Sequence, residues 1–405
     1  MKILSYGDNP LVSTGYGSTW YNLLSRWPKL KPNWKFMHVG WQTMDRKHET
    51  KEGYIQLPSG KEEMGKDTVL SNLLNYNVDY LITMADVGKQ GAFMAPIFEA
   101  KKRGWRGKWI MYTPIDTHRW AIYWDDIFAS PDINLACAKF GEQQMKKHNA
   151  PNIKMIPLGV DSNVFFPRKD REELREKFGL TNKFVIGFVG RNQIRKAIAY
   201  WIGGFAKFAK GKDDVILLLH TDALPPAGEG RGWLIDGLVW QCNQIAGEDF
   251  FQTKKIQLTQ SKLDLRARQK ISEEEMNNIY NLMDIYLYPT GGEGFGIPAL
   301  ESQAAGVPIL MSDNTTGPEL IKHGELIKVL KDVYNRPVSI IGTNGVNNLM
   351  PDDNHIAELL EKYYLDWKSG GKCLKEMSIK SREFIKNYNW DAIAKQWIDL
   401  FEHET

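Results

Sequence analysis

PTGGEGFGIPALESQAAGVP, residues 289–308, decides how the rest of this chain is read. It follows DIYLY (284–288), an apolar run short enough for a buried strand, and it opens a helix-forming segment, 298–305. The order is strand, glycine loop, helix. Pro298 falls at a first helical turn, where an N–H is not needed, and Gly291, Gly292, Gly294 and Gly296 permit a tight turn and a close approach to a ligand. Two carboxylates, Glu293 in the loop and Glu301 on the helix, are eight positions apart. N–H groups at a helix start attract phosphate, and a carboxylate further in accepts hydrogen bonds from ribose hydroxyls. The stretch reads as a nucleotide cradle.

Composition bounds the rest. The chain has 405 residues, 42% hydrophobic and 25% charged, which is too long for one compact core and suited to two α/β domains. A net charge of +3 over 52 basic and 49 acidic side chains implies no polyanionic partner. The cysteines, Cys137, Cys242 and Cys373, are far apart with no metal-ligand spacing, so they read as reduced thiols in a cytoplasmic protein, and no metal site is expected. No apolar run approaches the ~20 residues that span a bilayer, and neither export nor membrane passage is expected.

Along the chain, 2–6 is a first strand and STGYG (13–17) a glycine loop before a helix at 18–27, where a doubly wound sheet places its ligand loop. This makes Gly15 and Gly17 candidates. A strand at 36–40 precedes a polar stretch, 44–66, that reads as a surface excursion. Strands at 79–84 and 108–113 flank a helix at about 92–102, and the second runs into PIDTHRWAIYW (114–124). Residues past a strand's carboxyl end project into a crevice, so Asp116, His118 and Arg119 are placed for chemistry. Trp120, Tyr123 and Trp124 read as core packing before they read as a sugar or lipid platform. KKRGWRGKW (101–109) mixes basic and aromatic residues as a weak peripheral membrane contact would. A helix end, a turn and a strand start with solvated lysines is the preferred reading.

PLGVDSNVFFP (157–167) has linker composition, which sets the boundary near 165. The pattern then restarts. KFVIGFVGR (183–191) is a strand ending in Arg191, and five positions on Lys196 opens a helix through about 210. A guanidinium at a strand end and an ammonium at a helix start can both meet one diphosphate. Strands follow at 215–220 and 255–259, then QSKLDLRARQK (260–270), which reads only as a basic surface loop. Amphipathic helices at 352–367, 372–386 and 390–402 close the chain.

These motifs together resemble the retaining glycosyltransferases of family 4. The resemblance is specific from about 187 to 321, where GEGFGIPALE, AAGVPIL and TTGPELI occur, and looser elsewhere. It implies the GT-B fold, two Rossmann-like domains with parallel sheets facing a deep interdomain cleft. Residues 1–165 would be the acceptor side, joined by a C-terminal helix at 390–405, and 166–389 the donor-binding domain. It implies transfer of a hexose from a UDP- or GDP-linked sugar to an acceptor hydroxyl on a glycan, lipid, protein or modified base, with no metal or other cofactor.

By the same resemblance Arg191 and Lys196 bind the donor's phosphates, with Arg195 a competitor for that role. Glu293 holds sugar hydroxyls, Glu301 holds the ribose, and the backbone of Gly294, Phe295, Gly296 and Ile297 receives the departing charge. His118 lies by the donor sugar, while Asp116, Gly15 and Gly17 contribute to donor or acceptor binding. Ala197 stands where the family commonly has glycine. A nucleotide-sugar epimerase, a phosphorylase and a non-catalytic sugar-nucleotide binder remain alternatives on the same architecture. Oligomeric state is not legible.

Overall fold

The computed structural model describes every residue except 13, 42–45, 225–231, 260–270, 342–345 and 405. The basic loop 260–270 and the first residue of STGYG therefore lie outside the described residues. The chain divides into two compact units, Met1–Gly159 with Tyr388–Thr405, and Val160–Asn387.

The first unit is built on an eight-stranded sheet. Its strands are β1 (Lys2–Asp8), β2 (Lys35–Trp41), β3 (His48–Glu49), β4 (Ile55–Leu57), β5 (Tyr80–Met84), β6 (Lys108–Thr113), β7 (Ile133–Ala136) and β8 (Ile153–Met155). They lie in the order β3-β4-β2-β1-β5-β6-β7-β8, and only β3 runs antiparallel to its neighbour. The inner strands are near-continuous apolar runs because helices cover both faces. Strand order reverses between β1 and β5, so the crevice of this unit opens beyond Asp8 and Met84.

Three local outcomes differ from the pattern-based reading. The first helix spans Gly15–Leu24, starting three residues early because Thr14 caps it by accepting from Gly17 N–H. A second short helix, Trp27–Leu30, carries Pro28 in its first turn. Within the polar stretch after β2, β4 joins the sheet beside β2 and buries Leu57, a strand of three residues being too short for alternation to reveal. The run 101–109 is a helix end, a turn and the start of β6. Trp105 and Trp109 are buried, donating to Val78 O and Thr83 Oγ1, so its exposed side chains, Lys102, Arg103 and Arg106, are basic rather than aromatic. Trp120 and Trp124 are likewise buried, and Tyr123 is exposed.

The C-terminal helix, Trp390–His403, completes this unit. Asn389 caps it, and Trp390, Ile393, Ala394, Trp397, Ile398 and Phe401 form one buried stripe at helical spacing. Trp397 sits 5.5 Å from the Trp27 ring and 5.1 Å from Tyr112, and Phe401 5.2 Å from Tyr80.

The second unit has a six-stranded sheet, all parallel, of β9 (Phe184–Val189), β10 (Val215–His220), β11 (Ile256–Leu258), β12 (Ile285–Tyr288), β13 (Ile309–Ser312) and β14 (Glu325–Ile327). The order is β11-β10-β9-β12-β13-β14, with the reversal between β9 and β12. After β14 a small antiparallel ribbon, β15 (Ser339–Ile341) with β16 (Asn347–Leu349), leaves the sheet before the helix Asp353–Lys368. No helix among the described residues is long and apolar enough to cross a membrane.

Candidate active site

In an open parallel sheet the ligand crevice forms where strand order reverses, because the connections from two adjacent strands leave in opposite directions. In the second unit those strands are β9 and β12. Beyond β9 the chain passes Arg191 and makes one tight turn, Ile194–Lys196. Ala197, left-handed at φ 53°, then separates this turn from the helix Ile198–Ala209. Beyond β12 come Thr290, the glycine loop and the eight-residue helix Ile297–Ala304, with Gly296 left-handed at φ 107° just ahead of it.

The two connections meet at Glu293. Its carboxylate is buried, and Oε1 accepts from Lys196 Nζ at 2.5 Å, Arg195 Nη1 at 2.8 Å and Thr290 Oγ1 at 2.8 Å. Among the described residues no donor reaches Oε2. Burial alone would push this carboxyl up, but the charges of Arg195 and Lys196 and their hydrogen bonds outweigh it and hold the group down at about 2. Lys196 is itself buried, donates to Tyr288 Oη at 2.6 Å and lies 4.6 Å from the Tyr288 ring centre. Burial and then the Glu293 charge drive the Tyr288 phenol well above its ordinary range, so it stays neutral.

The loop is braced from the next strand as well. Past β13, Asn314 Nδ2 donates to Gly291 O at 2.6 Å, Thr315 Oγ1 accepts from Glu293 N–H at 3.0 Å, and Thr316 Oγ1 donates to Phe295 O at 2.6 Å. Every second residue of the loop is thereby held by consecutive residues of one segment. Gly294, Phe295 and Gly296 are buried and Ile297 half-buried. Glu301 is half-buried on the helix, where Tyr280 Oη donates to its Oε2 at 2.7 Å. Burial raises its carboxyl to about 7, against the lowering effect of that hydrogen bond.

The residues singled out from sequence thus fall into three groups. Glu293 and Lys196 are in contact, with Arg195 as the second cation. Arg191 is exposed at the end of β9 and forms no ion pair among the described residues. Gly15, Gly17, Asp116 and His118 lie in the first unit, after β1 and β6. Gly17 is closely packed, since a Cβ there would come 2.5 Å from Val12 O. His118 is exposed with its ring edge-on to Phe140 at 4.9 Å, and Asp116 is half-buried. At the reversal point of this sheet Tyr16 Oη donates to Asp86 Oδ1 at 2.5 Å, while Thr14 donates to Asp8. Sequence reasoning gave no role to Thr290, Tyr288, Tyr280, Asn314, Thr315 and Thr316, the last two entering only as part of TTGPELI. The signal available for the last three was polar residues directly after an apolar strand that neighbours β12. No group of three or more His, Cys, Asp or Glu side chains suited to a metal gathers among the described residues.

Residues 170–338, which contain the cationic turn, the glycine loop and its braces, match the family model described as Glycosyl transferases group 1. Mannosylfructose-phosphate synthase of Agrobacterium fabrum is 25% identical over 256 residues, 63% of this chain and 48% of that protein. The chain spans about half the length of the curated relatives it matches. Among solved structures, sucrose-phosphate synthase from Thermosynechococcus elongatus superimposes with a TM-score of 0.73 at 16% identity, covering 100% of this chain and 98% of that one. Anabaena Alr3699/HepE in complex with UDP-glucose does so with 0.67 at 14% identity, covering 100% of each. The two Rossmann-like units with parallel sheets are those of the GT-B fold.

Proposed function

We propose that this protein is a glycosyltransferase that moves a hexose from a UDP- or GDP-linked sugar to an acceptor hydroxyl, with retained configuration and without a metal. One observation carries the reading: at the strand-order reversal of the second unit, a buried, ionised Glu293 faces the ammonium of Lys196 and the guanidinium of Arg195. A carboxylate beside two cations suits a ligand with hydroxyls at one end and a diphosphate at the other.

The slow event in such a transfer is cleavage of the bond from the anomeric carbon to the phosphate oxygen. Negative charge grows on the diphosphate and positive charge on the sugar. Lys196 and Arg195, with Arg191 at the mouth of the turn, supply the positive charge that the leaving group needs. One donor of this type, fixed in advance, is typically worth ~3 kcal/mol. The backbone of Gly294–Ile297 adds the N–H end of a helix. Glu293 directs Oε2 to a sugar hydroxyl while Oε1 stays with its cations, and Glu301 takes the ribose. The leaving phosphate oxygen accepts the proton of the attacking hydroxyl as the new glycosidic bond forms on the same face, so no side chain is needed as base. The roles given to His118, Asp116, Gly15 and Gly17 rest on the family resemblance.

The test is a panel of UDP- and GDP-sugars presented to the full chain, scored for release of free nucleoside diphosphate and for thermal stabilisation. One donor should stand out in both. Neither release nor stabilisation with any member removes the reading.

A further inference from the structure

The ribbon after β14 has no part in the chemistry above, yet it touches the glycine loop. It is a braced piece of structure: Leu330 N–H donates to Met350 O at 2.7 Å, Val338 N–H to Leu330 O at 2.8 Å, Met350 N–H to Val338 O at 2.9 Å, and Asp352 N–H to Lys328 O at 2.9 Å across its base. The turn that precedes β15 is fastened by Asp332, which accepts from the N–H groups of Tyr334 and Arg336.

One residue of the ribbon reaches inward. Leu349 N–H donates to Gly291 O at 2.9 Å. The same carbonyl takes Asn314 Nδ2, and Gly291 N–H donates to Arg195 O at 2.7 Å. Gly291 is therefore a junction of the ribbon, the glycine loop and the cationic turn. A Cβ at this position would lie 3.0 Å from Asn348 Cβ, 3.1 Å from Arg195 O and 3.2 Å from Leu349 O. The backbone of Gly291 is not left-handed, so what favours glycine here is space: any side chain would push on the ribbon or the cationic turn.

We propose that the ribbon is a positioning element of the donor site. Through Leu349 N–H and Gly291 it sets the separation between the loop that carries Glu293 and the turn that carries Arg195 and Lys196. The inference rests on the sugar-nucleotide reading of that site. A misplacement of about 1 Å between groups that must act together costs of order a hundredfold in rate, so one backbone hydrogen bond at the junction has leverage on turnover.

The Leu349 N–H leaves the ribbon, whereas that of Met350 stays within it. Proline at 349 therefore deletes the contact to Gly291 and no bond inside the ribbon. Leu349→Pro is compared with Leu349→Ala, which loses the side chain but keeps the N–H, in the full chain. Turnover of the preferred nucleotide sugar is split into kcat and KM, and amide exchange is followed over residues 290–294. The proline variant should lose about tenfold or more in kcat relative to alanine and exchange faster in the loop, at a similar unfolding midpoint. Equal kcat and equal exchange in the two variants overturn the proposal.

If the proline variant does not fold, Gly291→Ala serves. It should lower kcat, and adding Asn348→Gly should restore part of it; no restoration overturns the proposal. Wild-type protein inert toward every nucleotide sugar refutes the donor reading and the catalytic consequence with it, while the exchange comparison still decides whether the ribbon holds the loop.

Discussion

Lys196 Nζ lies 2.5 Å from Glu293 Oε1 across 97 residues of chain, and both side chains are buried. Neither charge is tolerable there alone, so each depends on the other as much as on any ligand. Lys196→Ala should therefore act twice. It should cut turnover by ~100-fold or more through the lost charge on the leaving group, and cost about 3 kcal/mol of stability by leaving Glu293 with Arg195 alone. Steady-state kinetics and denaturant melts read the two effects separately. Wild-type turnover in folded Lys196→Ala would remove the lysine from the mechanism.

The pH response should follow Glu301. Its carboxyl is raised to about 7 by burial, so the folded protein holds a proton that the unfolded chain releases above its ordinary carboxylate range, near 4.5. Stability from this group is complete below about 4.5 and is lost as pH rises through about 7. Ligand binding should run the other way, because in the proposed role the ionised form accepts two ribose hydroxyls. Nucleoside diphosphate affinity should rise between about pH 6 and 8 as the melting temperature falls, and Glu301→Gln should flatten both curves. Calorimetric titrations across that range that are flat in the wild type argue against Glu301 as the ribose ligand.

Activity should persist in excess chelator, since in the proposed reading Lys196 and Arg195 take the place of a divalent ion in stabilising the diphosphate. Nucleotide release with and without chelator is the measurement, and a complete loss that added metal reverses contradicts it.

Trp397 is fully buried among Trp27, Tyr112 and Phe401. Its replacement by alanine should cost about 3–5 kcal/mol and lower the melting temperature without changing the second unit's affinity for a nucleoside diphosphate. Loss of that affinity at a temperature where the protein stays folded is the contrary result.

Much of the fold was legible because the inner strands are apolar on both faces and glycine punctuates their carboxyl ends. β9, β12 and the helix after Gly296 all follow from that. The positions of Glu293 and Lys196 were legible for the same reason, since each lies in the connection that leaves such a strand. What local pattern does not carry is which cation turns inward. Arg191 and Arg195 have the same charge and nearly the same address, and the left-handed backbone at Ala197, invisible in composition, ends the turn that carries Arg195 and Lys196 to Glu293. Tyr280 beneath Glu301 comes from the helix Glu273–Asn281, and the braces at Asn314, Thr315 and Thr316 come from the end of the neighbouring strand β13. Their spacing in sequence has no period to read.

The C-terminal helix also sets an order of events. The first unit holds the chain's opening residues but stays incomplete until Tyr388–Thr405 have been made. The second unit, encoded between them, has all its strands in hand sooner. On the ribosome the half begun first is thus the half finished last, and the buried tryptophans of the closing helix are what a nascent chain must wait for.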